Sequence, residues 1–194
     1  MSAKRSMYRL LSGLALSGAA IATTLTVVPV QPGVAQTNQG ITLFGGVDSE
    51  FRLPYTLRNN RPRSTRAHYY LRVPADRMER AASHLRITYP ESFTDRNGSF
   101  DTDKITVRRG SSGTGGREIP AEDIVWSPES GQIDIYLTED IPADTSYVIA
   151  IEGTRNPDRF LMARFNLQAE SRGDVLPRYL GTWELLVAED MGNR

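Results

Sequence analysis

The sequence predicts a mainly β protein, an antiparallel β-sandwich with one short helix, which follows a cleaved signal peptide. Three observations predict it. The first 35 residues have the charge and hydropathy pattern of a secretory signal, short alternating apolar runs follow at close spacing, and turn residues separate these runs with almost no helical pattern between them. Such strands pair antiparallel, so we expect a two-sheet sandwich of seven or eight strands with the Greek-key connections of immunoglobulin-like domains.

The N-terminal segment has the order of features that a secretory signal requires. Lys4, Arg5 and Arg9 form a positive region, Leu10–Val30 carries no charge, and small residues end at Ala35, the expected cleavage site. A retained membrane anchor is the alternative, because the apolar run is about long enough to span a bilayer. Alanine, glycine, serine and threonine dilute that run and two prolines lie near its end, which favours cleavage.

Composition limits the rest of the chain to one domain and excludes several chemistries. We expect a signal peptide at residues 1–35, a polar tail at 36–40 and a single β-sandwich domain at 41–190. The 194 residues include no cysteine, which excludes disulfides and thiolate metal sites. Residues 1–35 hold three of the 23 basic side chains and no acid, which leaves 20 basic and 23 acidic side chains, a net charge of −3. A mildly acidic domain is a poor candidate for binding nucleic acid.

The first part of this domain combines extended and irregular patterns. Ile41–Val47 is compatible with a strand that bends at its two glycines, and residues 52–66 are expected to be irregular because prolines and asparagines interrupt them. Asp76–Ser83 carries the one helical pattern. Asp76 and Glu79 match a capping box, while Met78, Ala82 and Leu85 would share one face.

The remaining chain is dominated by runs that predict strands. His68–Val73 is rich in aromatic and branched residues. Seven more runs follow, separated by turn signals such as Asn97–Gly98 and Asn156–Pro157: Leu85–Tyr89, Lys104–Arg109, Asp123–Trp126, Gln132–Thr138, Tyr147–Glu152, Phe160–Gln168 and Thr182–Ala188. In residues 132–138, Ile133, Ile135 and Leu137 are expected to face the core, while Gln132, Asp134 and Tyr136 face the other way.

This order of motifs resembles an uncharacterised family of exported cyanobacterial proteins that carry an N-terminal signal peptide. The resemblance covers most of residues 41–188 and lies in the tyrosine-rich strand His68–Pro74, in Leu85–Thr88, in the strand–turn–strand of residues 132–152, and in Arg155-Asn156-Pro157 with Phe160–Ala169 and Gly173. Asp158–Arg159 stands where the family pattern has a glycine-rich turn. The resemblance implies an extracytoplasmic β domain and assigns no activity and no catalytic residue.

A candidate cation site lies in residues 95–103, where Asp95, Asn97, Asp101 and Asp103 concentrate oxygen ligands of the kind that calcium prefers. The segment departs from an EF-hand loop, because Lys104 occupies the closing position where a bidentate carboxylate belongs. The alternative is an Asn-Gly turn with solvated acids. We expect weak calcium binding at most.

A candidate binding site lies in the irregular segment, where Arg58, Arg61, Arg63 and Arg66 form a local basic patch. Such a patch suits an anionic partner, for example lipid headgroups, an acidic glycan or an acidic protein surface. The alternative is a solvated loop whose arginines pair with acids of the same domain.

Catalytic and cofactor motifs are poorly matched. His68 and His84 are the two histidines, each without a second ligand at zinc spacing, and no Gly-x-Ser-x-Gly elbow supports a hydrolase triad. Gly110–Gly116 lacks the Lys-Ser/Thr ending of a phosphate loop and predicts a hairpin connection. Among the aromatic residues, which could stack on sugar rings, Tyr136 is the best candidate for an exposed one.

The sequence therefore favours a non-catalytic extracytoplasmic module, either a binding domain or an accessory of the cell envelope, with no cofactor. Its ligand is not indicated; an envelope protein or a glycan is the expected kind of partner, and the mature domain is not expected to span a membrane. The location would be periplasmic, lumenal or extracellular. A calcium-stabilised or carbohydrate-binding sandwich is the second hypothesis, and a hydrolase is the third.

Overall fold

A computed structural model describes residues 47–112 and 115–188. This part of the chain forms ten strands and five short 3-10 turns. The strands are β1 (Tyr55–Arg58), β2 (Ala67–Val73), β3 (Ala82–Thr88), β4 (Ile105–Arg109), β5 (Glu118–Ile119), β6 (Ala121–Ser127), β7 (Gln132–Ile141), β8 (Tyr147–Thr154), β9 (Leu161–Glu170) and β10 (Arg178–Val187). The 3-10 turns are Ser49–Phe51, Ala75–Arg77, Glu91–Phe93, Thr102–Lys104 and Pro128–Ser130.

The strands form two antiparallel sheets of five. The first sheet has the order β1-β2-β8-β4-β5 and the second sheet has the order β10-β9-β3-β7-β6. Strands that are neighbours in a sheet are often distant in sequence, because the β2–β3, β3–β4, β5–β6, β7–β8 and β8–β9 connections each pass from one sheet to the other. The predicted antiparallel sandwich is confirmed, with ten strands in the described residues rather than seven or eight.

The core lies between the two sheets and follows the predicted alternation. Ile133, Ile135 and Leu137 on β7 are buried, as expected. Tyr136 on the opposite face is 41% exposed, also as expected. Asp134 shares the outward face of Tyr136 but is only 5% exposed, because side chains of the neighbouring strand β3 cover it.

The predicted helix over Asp76–Ser83 is wrong. The chain makes a 3-10 turn at Ala75–Arg77 with no side-chain cap, and β3 begins at Ala82. The backbone N–H of Asp144 donates to the carbonyl of Met78 at 2.7 Å, and β3 pairs with both β7 and β9. Strand pairing on both sides satisfies the backbone polar groups that a helix would have satisfied locally.

The expectation of irregular structure over residues 52–66 is also partly wrong, because β1 occupies Tyr55–Arg58 and pairs with β2. Gly110–Gly116 connects β4 and β5, which pair antiparallel, as the predicted hairpin requires. The cleavage site at Ala35 and all of the predicted strand Ile41–Val47 except Val47 lie outside the described residues.

The strand directions place the connections at two ends of the sandwich. The end that holds the β1–β2, β3–β4, β6–β7 and β8–β9 connections is called the basal end. The end that holds the β2–β3, β4–β5, β7–β8 and β9–β10 connections is called the apical end. The long β3–β4 connection closes the basal end with Phe93 and Phe100, whose stacked rings lie 4.9 Å apart.

Candidate functional site

The predicted basic patch lies at the basal end. Arg58 is the last residue of β1, and Arg61, Arg63 and Arg66 lie in the β1–β2 connection. All four side chains are exposed, and the Arg58 guanidinium lies 5.5 Å from the centre of the Tyr70 ring. Within the described residues, none of the four forms an ion pair. Their charges are therefore not neutralised by ion pairs with acids of the part of the chain that the structure describes.

The backbone of this connection is fixed from a distant part of the chain. Asn156, which is fully buried, accepts a hydrogen bond from the Tyr69 hydroxyl at 2.6 Å and donates its amide Nδ2 to the carbonyl of Arg61 at 3.0 Å. Its backbone N–H donates to the carbonyl of Ser64 at 2.8 Å. These bonds hold the loop backbone in place while the arginine side chains remain in solvent.

Arg63 has a backbone conformation that is unusual for a residue other than glycine. Its φ of 61° lies in the left-handed region, which costs an L-residue about 1–2 kcal/mol. The backbone N–H of Arg63 donates to the carbonyl of Pro157 at 3.0 Å, so tertiary contacts hold this conformation. The loop forms a concave region of about 640 Å³ lined by residues 59 and 61–66.

Further arginines surround the loop at the basal end. Arg96 donates to the carbonyl of Phe160 at 3.0 Å, and Arg155 and Arg159 are exposed on the β8–β9 connection that carries Pro157. The β3–β4 connection also carries the acids Glu91, Asp95, Asp101 and Asp103, and the β8–β9 connection carries Asp158, which lies 3.9 Å from Arg155. We call the seven arginines together the arginine surface: Arg58, Arg61, Arg63, Arg66, Arg96, Arg155 and Arg159.

Two of the four candidate calcium ligands, Asn97 and Asp101, are engaged by different side chains. The Asn97 amide donates to Asp158, and Asp101 pairs with the Lys104 ammonium at 2.6 Å, whose hydrogen bond lowers the pKa of Asp101. Across residues 47–112 and 115–188, no group of three or more histidine or carboxylate side chains could hold a metal ion. Weak calcium binding at Asp95, Asn97, Asp101 and Asp103 stays a prediction.

His84 belongs to a polar cluster on the outer face of the second sheet that the sequence pattern did not reveal. Its Nε2 lies 2.9 Å from Asp134 and its Nδ1 lies 3.4 Å from Glu170. The ring of Tyr136 stacks on the imidazole at 4.4 Å. Because each nitrogen of His84 faces a carboxylate, neither is directed at a serine as a catalytic triad would require. His68, the other histidine, lies 3.7 Å from Glu152.

Asp134 is the centre of this cluster. Its carboxylate accepts hydrogen bonds from Gln132 and from Arg86 Nε at 2.8 Å, in addition to the contact with His84. Desolvation acts to raise the pKa of Asp134, but the hydrogen bonds from Gln132 and Arg86 and the charge of Arg86 outweigh it. The pKa of Asp134 is therefore lowered, and the ionised form is the one that the fold stabilises.

Asp134→Asn is expected to lower the free energy of unfolding by about 1–3 kcal/mol at pH 7, because it removes a charged acceptor from a buried cluster. The native pKa lies below the unfolded one, so the contribution is present above pH ~4 and is lost as the pH falls through the native pKa. Urea denaturation of both proteins between pH 7 and pH 2 should show the difference shrinking. Asp123→Asn, at an exposed position of β6, is the control. A difference that stays constant with pH would contradict the assignment.

The aromatic side chains considered for sugar stacking differ in exposure, and carbohydrate binding stays a prediction. Trp183 is fully buried in the core and its indole N–H donates to the carbonyl of Arg72 at 3.1 Å. Tyr136 is exposed on one face, while its other face covers His84. The described residues also include no helix that is long and apolar enough to cross a membrane.

The fold and this geometry define an antiparallel β-sandwich domain with an arginine-rich basal end. The chain belongs to a family described as a protein of unknown function (DUF2808), whose model matches residues 41–187. This agrees with the resemblance to an uncharacterised family. A search of curated proteins found no match.

Several solved structures are distantly similar. The collagen-binding domain from a Staphylococcus aureus adhesin has a TM-score of 0.42 and 10% identity, over 70% of this chain and 96% of that one. An uncharacterised Nocardia farcinica protein with an immunoglobulin-like fold has a TM-score of 0.39 and 13% identity, over 71% and 99%. The major pilin subunit of Bacillus cereus has a TM-score of 0.41 and 10% identity, over 70% and 39%.

Proposed function

We propose that this protein is a non-catalytic, exported module that binds an anionic partner through the arginine surface, as a binding domain or as an accessory of the cell envelope. One observation carries the proposal: Arg58, Arg61, Arg63 and Arg66 are all exposed, and none forms an ion pair within the described residues. Hydrogen bonds from Asn156 fix the backbone that carries them. A rigid scaffold that presents unpaired cations is suited to bind carboxylate, sulfate or phosphate groups.

Export is the part of the proposal that rests on residues 1–35. Their positive start, uncharged run and small residues before Gln36 support a signal peptide cleaved after Ala35, and the cyanobacterial source expected from the family resemblance stays a prediction. Mass spectrometry of the native protein is expected to find Gln36 or a close neighbour as the N-terminal residue. Intact residues 10–30 in the membrane fraction would contradict cleavage.

Binding is tested by removing the four charges and measuring the affinity for a fluorescent deca-glutamate peptide by anisotropy. Changing Arg58, Arg61, Arg63 and Arg66 to glutamine is expected to weaken binding at least ~10-fold at low salt, and the wild-type affinity should fall as salt rises. The control changes four arginines at the apical end to glutamine: Arg77, Arg109, Arg117 and Arg172. Both variants alter net charge equally, so equal losses would show that total charge, and not this surface, governs binding.

A further inference from the structure

Three large apolar side chains beside the arginine surface are exposed. Phe160 is 60% exposed, Met162 is 61% exposed and Leu186 is 37% exposed. Met162 and Leu186 are cross-strand partners on the outer face of β9 and β10, and Phe160 precedes β9. A folded domain that leaves such side chains together in solvent pays a free-energy cost that a binding partner would remove.

These apolar side chains are continuous with the arginine surface. Arg96 donates to the carbonyl of Phe160 at 3.0 Å, and the Asn60 amide in the β1–β2 connection donates to the carbonyl of Leu186 at 2.7 Å. Arg63 reaches the same β8–β9 connection through its hydrogen bond to Pro157. The arginines and the apolar group therefore form one surface at the basal end.

We infer that this composite surface docks an acidic segment of a protein that also carries apolar side chains. The inference rests on the proposed function and adds the chemistry of the partner. The apolar group supplies area for an apolar side chain. The guanidinium groups of the four arginines that form no ion pair within the described residues supply bidentate partners for carboxylates.

The composition of the surface favours a protein over a lipid membrane. Arginine, phenylalanine and methionine are enriched at protein interfaces, whereas lysine is depleted there. Lys104 is the sole lysine of residues 36–194, and it pairs with Asp101. The tryptophans that commonly anchor proteins at a membrane surface lie elsewhere: Trp183 is in the core, and Trp126 is on β6 at the opposite edge of the second sheet.

The partner would lie on the sheet face rather than extend the sheet. The edge of β10 is occupied at Thr182, whose carbonyl accepts the backbone N–H of Leu53 at 2.9 Å, and at Leu186, whose carbonyl accepts the Asn60 amide. Main-chain pairing along β10 is blocked at both points. Side-chain contacts with Phe160 and Met162 therefore determine the preference for apolar residues.

The test compares the deca-glutamate peptide with a ten-residue peptide of alternating glutamate and leucine and with phosphatidylglycerol vesicles, all with the full mature protein. The mixed peptide is expected to bind at least ~10-fold more tightly than deca-glutamate. Phe160→Ser with Met162→Ser should abolish that gain and leave deca-glutamate binding unchanged. The control, Val175→Ser with Leu176→Ser, removes two exposed apolar side chains at the apical end and should have no effect.

The outcomes separate this inference from the proposed function. If deca-glutamate binds through the four arginines but the mixed peptide gains nothing, the inference is overturned and the proposed function stands. If neither peptide binds, both are overturned. If the Phe160/Met162 variant loses vesicle binding, and the wild type binds the mixed peptide no more tightly than deca-glutamate, the partner is a lipid surface and not a protein.

Discussion

Replacing Phe165 by alanine is expected to lower the free energy of unfolding by about 3–5 kcal/mol, the usual cost of removing a large buried aromatic side chain. Phe165 is fully buried on β9 and contacts a ring of the first sheet and rings of the β3–β4 connection. Its ring centre lies 5.5 Å from that of Tyr89, 5.6 Å from Phe93 and 6.3 Å from Tyr69. The substitution would leave a cavity that this rigid aromatic group cannot readily fill.

Urea denaturation followed by tryptophan fluorescence measures this loss, since Trp183 lies opposite Phe165 in the sheet. Phe160→Ala is the matched control: the same side chain is removed five residues earlier, at a position 60% exposed. It should cost less than about 1 kcal/mol. Comparable losses for the two variants would show that the aromatic cluster does not support the fold.

Ile135→Ala is expected to cost about 2–5 kcal/mol. Ile135 is fully buried on β7 and lies between Leu85 of β3 and Ile124 of β6 in the second sheet. The substitution removes three methyl or methylene carbons, and with them van der Waals contacts in the core between the two sheets. The change should lower the denaturation midpoint without altering the m-value.

Tyr136→Ala is the comparison for Ile135, because the two residues are adjacent and point to opposite faces. Tyr136 is 41% exposed and its main contact is the stacked ring of His84, so its loss should be clearly smaller. Equal losses at both positions would mean that the inward and outward faces of β7 are misassigned.

The alternation of residues 132–138 was enough to predict their orientation, since side chains of a strand point alternately to its two faces. The same local pattern could not reveal that Asp134 is buried. Its partners His84 and Arg86 are 50 and 48 residues away in the chain. Only the pairing of β3 with β7 brings these charges together, so the polar cluster was missed.

The spacing of Met78, Ala82 and Leu85 predicted a helix that the chain does not form, again because the contacts that decide the structure are distant in the sequence. All three are buried, as the pattern indicated, but Met78 follows a 3-10 turn, and Ala82 and Leu85 lie on β3 across a register shift. A bulged strand and one helical turn can bury similarly spaced residues. The choice depends on hydrogen bonds to β7 and β9, which no local spacing shows. β1 was missed because its four residues form a strand only by pairing with β2.

The sequence by itself determined that the described chain is an antiparallel β-sandwich, because alternation and turn residues act over a few positions. It also identified Arg58, Arg61, Arg63 and Arg66 as the basic patch, because charge is a property of each residue. Only the tertiary structure decided that these arginines form no ion pair within the described residues and lie beside Phe160, Met162 and Leu186. Asn156, 95 residues from Arg61, holds that arrangement, and a contact over such a distance in the chain exists only once the sheets have formed.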